Sequence, residues 1–155
     1  MIYLNRFLTI LLFCGLVHTA TAQLPSSMTG TWKRTGMTST DLSGKTSDDF
    51  QEHIKVMPCT KNITYTFKAD GSFITIVPNE CGAMKKTIEA TNGAGKCTAF
   101  GNKVKVTMKG IPDATYDVKV AGNTMTWVFD YASNPKEHNI AGSKLKSLTI
   151  IYTKI

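Results

Sequence analysis

The chain is poor in the features that mark catalysis, nucleic-acid binding or membrane insertion. Charged residues make up only 19% of its 155 residues, and histidine occurs three times. No Gly-x-Ser-x-Gly elbow is present, so the nucleophile motif of the α/β-hydrolases is missing. There is no arginine cluster to track a phosphate backbone. The 18 lysines and arginines, against 11 acidic residues, are spread thinly and read as a solvated surface. No internal repeat or low-complexity segment stands out. A hydrophobic content of 42% with so few charges excludes a disordered, collagen-like or coiled-coil chain. Beyond residue 22 no apolar run approaches the about 20 residues of a membrane helix.

What is present begins with a leader. Arg6 precedes an apolar run from Phe7 to Val17, and Ala20-Thr21-Ala22 fits a small-residue cleavage site. Residues 1–22 are expected to be a secretory signal peptide, and 23–155 a single domain. Cys14 raises a lipoprotein alternative, but bulky Phe13 precedes it. The expected compartment is the periplasm or the exterior. Without Arg6, 17 basic residues face 11 acidic ones. A chain of this length can bury roughly two-thirds of its unfolded surface.

The mature chain alternates apolar and polar residues, broken by turn dipeptides at Asp70-Gly71, Asn92-Gly93, Gly101-Asn102 and Gly122-Asn123. Regular spacing of that kind reads as an antiparallel meander. A two-residue Gly122-Asn123 turn pairs Val120 with Met125, Val118 with Trp127, and Tyr116 with Phe129, all apolar and all on one face. A slip of one residue would turn that face to water. Gly101-Asn102 likewise pairs Ala99 with Val104 and Cys97 with Val106, which points Cys97 inward beside Met108. Asp70-Gly71 allows two registers. A three-residue loop with Gly71 in the left-handed bulge pairs Phe67 with Phe73 and Tyr65 with Thr75. Carried outward, that register sets Cys59 opposite Cys81. It is the register taken here, and it predicts a Cys59–Cys81 bridge between neighbouring strands with Cys97 a buried free thiol. An odd cysteine also leaves an intermolecular pair open.

Gly30 to Gly36 reads as the first strand, with Trp32 inward. Leu148 to Thr153 reads as the last. Phe50, Ile54 and Met57 recur at helical spacing between Asp48 and Met57, which predicts a short helix capped by Asp48 after the first strand. Ala132 to Ser147 reads as a long polar loop. About eight strands, each with one wet face, predict an all-β, antiparallel up-and-down barrel. Such a barrel fills its interior or holds one small ligand.

Gly30-Thr31-Trp32 resembles the Gly-x-Trp signature of lipocalins and related calycins. Cys59, then Tyr65 to Phe73 with its Phe-x-x-Asp-Gly-x-Phe hairpin, then Cys81, is similar to the bacterial exported lipocalin-like domain family. The resemblance covers Gly30 to Ile155. It implies a lipocalin-like barrel that binds a small molecule or lipid, and a basic residue packed over Trp32, for which Lys154 is in place. Lys154 stands where arginine is usual, and Cys97 stands where tryptophan is usual. The second swap removes a large side chain and could open interior volume.

The expected ligand is small and apolar or amphipathic. Its contacts are expected from Tyr65, Phe67, Phe73, Val106, Met108, Tyr116, Val118, Trp127 and Phe129, with the polar tips of Tyr116 and Trp127 to orient it. The alternative is that these side chains fill the core, leaving a solid barrel that binds an envelope protein through its loops. No cofactor, metal, nucleic acid or catalytic role is expected, and a monomer is. Ser43-Gly44-Lys45-Thr46 mimics the end of a P-loop but lacks the leading glycine and a preceding parallel strand. His53 with Asp49 or Glu52 falls short of the four ligands of structural zinc. Cys97 faces an apolar interior, where a thiol behaves as a small hydrophobe. Asn62-Ile63-Thr64 is a glycosylation sequon that the bacterial style of the leader sets aside.

Overall fold

The computed structural model describes residues 23–134 and 144–155. Residues 1–22, the expected leader, and with them Cys14, lie outside the described residues, as do residues 135–143 of the expected polar loop.

Eight strands close into an antiparallel barrel. They are β1 (Gly30–Asp41), β3 (Thr64–Phe67), β4 (Ser72–Ile76), β5 (Ala94–Phe100), β6 (Lys103–Met108), β7 (Ile111–Ala121), β8 (Thr124–Asp130) and β9 (Leu145–Lys154). Neighbours in sequence are neighbours in the sheet, and β9 returns to pair with β1. A three-residue strand, β2 (Thr46–Asp48), sits outside the ring. It pairs with Thr38–Thr40 of β1, above the Gly30–Lys33 stretch that pairs with β3. The predicted first strand, ending at Gly36, is therefore too short. β1 continues through a register shift between Arg34 and Gly36, which lets Met37 and Ser39 keep facing Ile150 and Leu148.

The three hairpins read from the sequence have the registers that their turns dictate. Phe67 pairs with Phe73, Cys97 with Val106 and Val118 with Trp127. Gly71 is obligatory twice over. Its φ is +85°, and a Cβ there would run into the Cys97 carbonyl oxygen. The close approach lets the Cys97 N–H donate to the Gly71 carbonyl at 2.7 Å.

Two crossovers at one end carry the helices. α1 (Asp49–Val56) lies where the sequence predicts it, with the Asp48 carboxylate accepting from the Gln51 N–H at 3.0 Å and Phe50 buried. α2 (Met84–Asn92) is not anticipated. Asn92-Gly93 looks like a hairpin turn, yet Gly93 is right-handed at φ −69°, the wrong sign for a type I′ turn. It ends a helix instead. The Thr75 N–H donates to the Gly93 carbonyl and the Thr75 hydroxyl to the Asn92 carbonyl, which ties the helix end to β4.

The Cys59–Cys81 bridge forms as expected, but not between strands. It joins two 3₁₀ turns, Pro58–Asn62 and Asn79–Cys81, just beyond the ends of β3 and β4. The register still sets the two cysteines opposite each other after the strands have stopped. Ile63, Val77 and Cys81 form a small core around the bridge, separate from the main core inside the barrel.

Candidate functional site: an interior cavity at the helical end

The two ends of the barrel differ. The hairpin turns at Asp70-Gly71, Gly101-Asn102 and Gly122-Asn123 gather at one end, together with the segment before β1. Leu24 and Met28 are buried there, and the Leu24 N–H donates to the Ala69 carbonyl at 3.1 Å. Trp32 is fully buried, and its indole N–H donates to the Met28 carbonyl at 2.9 Å. The Lys154 ammonium lies 5.3 Å from the centre of the Trp32 ring, a cation–π contact that the cross-strand pairing of the two residues enforces. A cavity of about 190 Å³ among Pro25, Met28, Asn102, Val104, Val118 and Val120 lies between this plug and the turns.

Toward the helical end lies a second cavity of about 160 Å³. Its walls are Tyr65, Phe67, Phe73, Val106, Met108, Tyr116 and Trp127, with Cys97, Ile150 and Tyr152 between them. Arg34, Thr75 and Asn92 add polar groups. The aromatic rings hold one another. Phe67 and Tyr116 lie 5.6 and 5.1 Å from Trp127, and Tyr65 meets Tyr152 edge-on at 5.3 Å. Gly95 makes room for this wall, because a Cβ on it would sit 2.6 Å from the Phe73 ring.

Of the nine residues expected to touch a ligand, Val118 and Phe129 are placed elsewhere. Val118 lines the other cavity, although its cross-strand partner Trp127 lines this one. Phe129 is buried against Tyr116 and Tyr131 and is not among the cavity's lining residues.

Two polar atoms here are buried with no hydrogen-bond partner among the described residues: Trp127 Nε1 and Arg34 Nε. Trp127 is 4% exposed. An unpartnered buried donor costs about 1–3 kcal/mol, so such atoms are uncommon in a settled core. Arg34 is a residue the sequence reading passes over. It is the single arginine of the described chain, in a protein that otherwise uses lysine. It follows Trp32 by two positions, so strand alternation already turns it inward, where it pairs across the sheet with Tyr152. Its recorded contacts are the Phe50 ring, 5.9 Å from the guanidinium carbon, and the Met37 sulfur, 3.9 Å from Nη1. Among the described residues it forms no ion pair.

Burial pushes the other titratable groups of the cavity toward their neutral forms. The Cys97 thiol rises to about 12 through loss of solvation. The Tyr116 phenol also rises to about 12, mostly through burial and in part through Tyr131 and Cys97. Tyr65 and Tyr152 move up for the same first reason. On α1, His53 moves down, through desolvation and then through the nearby Arg34 charge. At neutral pH the cavity therefore holds one formal charge, positive, amid neutral donors.

The other motifs do not build sites. In Ser43-Gly44-Lys45-Thr46 the Asp41 carboxylate accepts from the Ser43 N–H at 2.8 Å and from the Lys45 N–H at 2.9 Å. An acidic side chain thus occupies the donors that a phosphate would need. Among the described residues, no group of three or more His, Cys, Asp or Glu side chains converges to hold a metal ion. Nor is any helix among them long and apolar enough to cross a membrane.

Fold and site thus define a closed eight-stranded antiparallel barrel with a small interior cavity. A crystal structure of a DUF4847 family protein from Bacteroides vulgatus is similar to this chain, with 16% identity and a TM-score of 0.47 over 82% of this chain and 93% of that one. No family model matches the chain, and no curated protein does.

Proposed function

We propose that the protein is an exported barrel that binds one small amphipathic molecule in the cavity beneath its helical end. The observation that carries this reading is the Trp127 indole N–H, 4% exposed at the residue level and without a partner among the described residues, in a cavity wall that is otherwise aromatic and aliphatic. A ligand acceptor that reached that edge of the indole would satisfy it. Export is supported by the Cys59–Cys81 bridge, which suits an oxidising compartment. The lipocalin-like resemblance is of a piece with the reading. A binding role rather than a catalytic one fits Cys97, whose thiol is buried and held protonated.

The rival reading, a filled barrel that works through its loops, draws support from the cavity's size. About 160 Å³ is below the 300–1,000 Å³ of most ligand pockets. Native mass spectrometry of the protein, purified without reductant from its exported fraction, separates the two. The expected result is a small bound mass that is lost on denaturation. A bare mass from a folded sample would favour the loop reading.

A further inference from the structure

We infer that the ligand is a compact organic anion, whose carboxylate lies against Arg34 and whose body, about the size of one aromatic ring, lies among Tyr65, Phe67, Tyr116 and Trp127. The inference rests on the interior-binding reading and adds the charge and size of the occupant.

Size follows from volume. A cavity of about 160 Å³ matches the roughly 150 Å³ that accommodates benzene in an engineered apolar core. A long acyl chain does not fit wholly inside it. A single ring, or a branched acid of similar bulk, does.

Charge follows from what faces the cavity. Arg34 brings a guanidinium to the inner face of β1, beside Tyr152. Its recorded neighbours, a phenyl ring and a thioether, are soft groups that carry no charge. No described carboxylate pairs with it, and its Nε is buried without an acceptor. A cation drawn partly out of water with no counter-ion is costly, and a bound carboxylate would remove that cost. The guanidinium fork also matches a carboxylate's two oxygens. Trp127, a residue of the same cavity wall, carries the second unpartnered donor, its buried indole N–H. The three tyrosine hydroxyls and the Cys97 thiol are neutral near pH 7, so none of them supplies a competing anion. His53, the titratable group beside Arg34 on α1, is neutral there too, and adds no second cation.

Three probes of one shape and three charges test this: benzoate, benzamide and benzamidine. Each is titrated into the disulfide-bonded protein and followed by the two indole N–H signals in a ¹H–¹⁵N spectrum, assigned with Trp127→Phe. The Trp32 signal serves as the fold control, because its N–H is already bonded to Met28. The expected result is a shift of the Trp127 signal alone, with benzoate bound at least about tenfold more tightly than benzamide and benzamidine weakest, as one charged hydrogen-bonded contact would give. Arg34→Gln should bring benzoate and benzamide within about twofold of each other, and Arg34→Lys should keep part of the preference. Should Arg34→Gln disturb the Trp32 signal, the Arg34→Lys ratio and the order of the three probes on the unaltered protein carry the test. Equal binding of benzoate and benzamide would overturn the anion inference and leave an apolar cavity standing. No shift with any probe at millimolar concentration would overturn the interior-binding reading, and the anion inference with it.

Discussion

Trp32 and Trp127 are both buried anchors of one barrel, at 0% and 4% exposure, and their indole N–H groups meet different fates. Trp32 lies at the hairpin end. Its N–H is bonded to Met28, its face is covered by Lys154, and Leu24 packs into the same core. Trp127 lies toward the helical end, against the 160 Å³ cavity, with its N–H unpartnered among the described residues. The lesson is that one barrel can be built to two standards. The end that fixes the fold satisfies the polar atoms it buries. The end that faces the helices leaves two donors waiting.

Mutations can break this comparison or sharpen it. The largest effect is expected from Trp32→Ala, which should lose about 3–5 kcal/mol of stability in urea unfolding, because it removes a large buried side chain and its backbone hydrogen bond together. Next is the staple beside the helical crossovers. Replacing Cys59 and Cys81 by alanine opens a loop of 22 residues and should cost about 3 kcal/mol by the chain-entropy argument, read from the same denaturant curves.

The third is alkaline. Cys97 and Tyr116 are held up to about 12 in the folded barrel, from 9.0 and 10.0. The unfolded chain therefore loses these protons first. Their contribution is fully present below about pH 9 and drains away as the pH rises toward 12, at about 1.4 kcal/mol per pH unit for each proton. Cys97→Ala should flatten the onset of that decline in a pH series of thermal melts. The smallest expected effect is that of Trp127→Phe, which should cost about 1–2 kcal/mol for the ring area it removes, and about 1 kcal/mol less than Trp32→Phe, because the N–H it deletes has no hydrogen bond to lose. Equal losses from Trp127→Phe and Trp32→Phe would mean that Trp127 is as fully satisfied as its counterpart, and the contrast between the ends would fall.

The hairpin end was the legible one. Two-residue Gly-Asn turns and the Asp70-Gly71 bulge fix register locally, so cross-strand partners such as Val118 and Trp127 follow by counting. The cysteine pairing followed from the same count, although the strands stop before reaching it. The helical end was less legible because its crossovers are not governed by period two. Asn92-Gly93 carries turn chemistry in a helix terminus, and the apolar face of α2 is only Met84 and Ile88, neither of them fully buried, which is a short stripe to read. For the site, seven of the cavity-wall residues were visible from alternation. Arg34 was equally visible by parity with Trp32, but a charge on a buried strand face runs against the pattern that alternation rewards.

The pairing of β1 with β9 has a consequence in time. Each hairpin joins residues close in the chain and can form early, since its loop is short. The β1–β9 seam joins the two ends of the described chain, so it closes against the largest loop entropy in the molecule. Until it closes, Arg34 has no Tyr152 beside it and the cavity lacks one wall. The interior cavity is thus the last thing this chain is expected to acquire, and a molecule that fitted it would act as a latch on the finished seam.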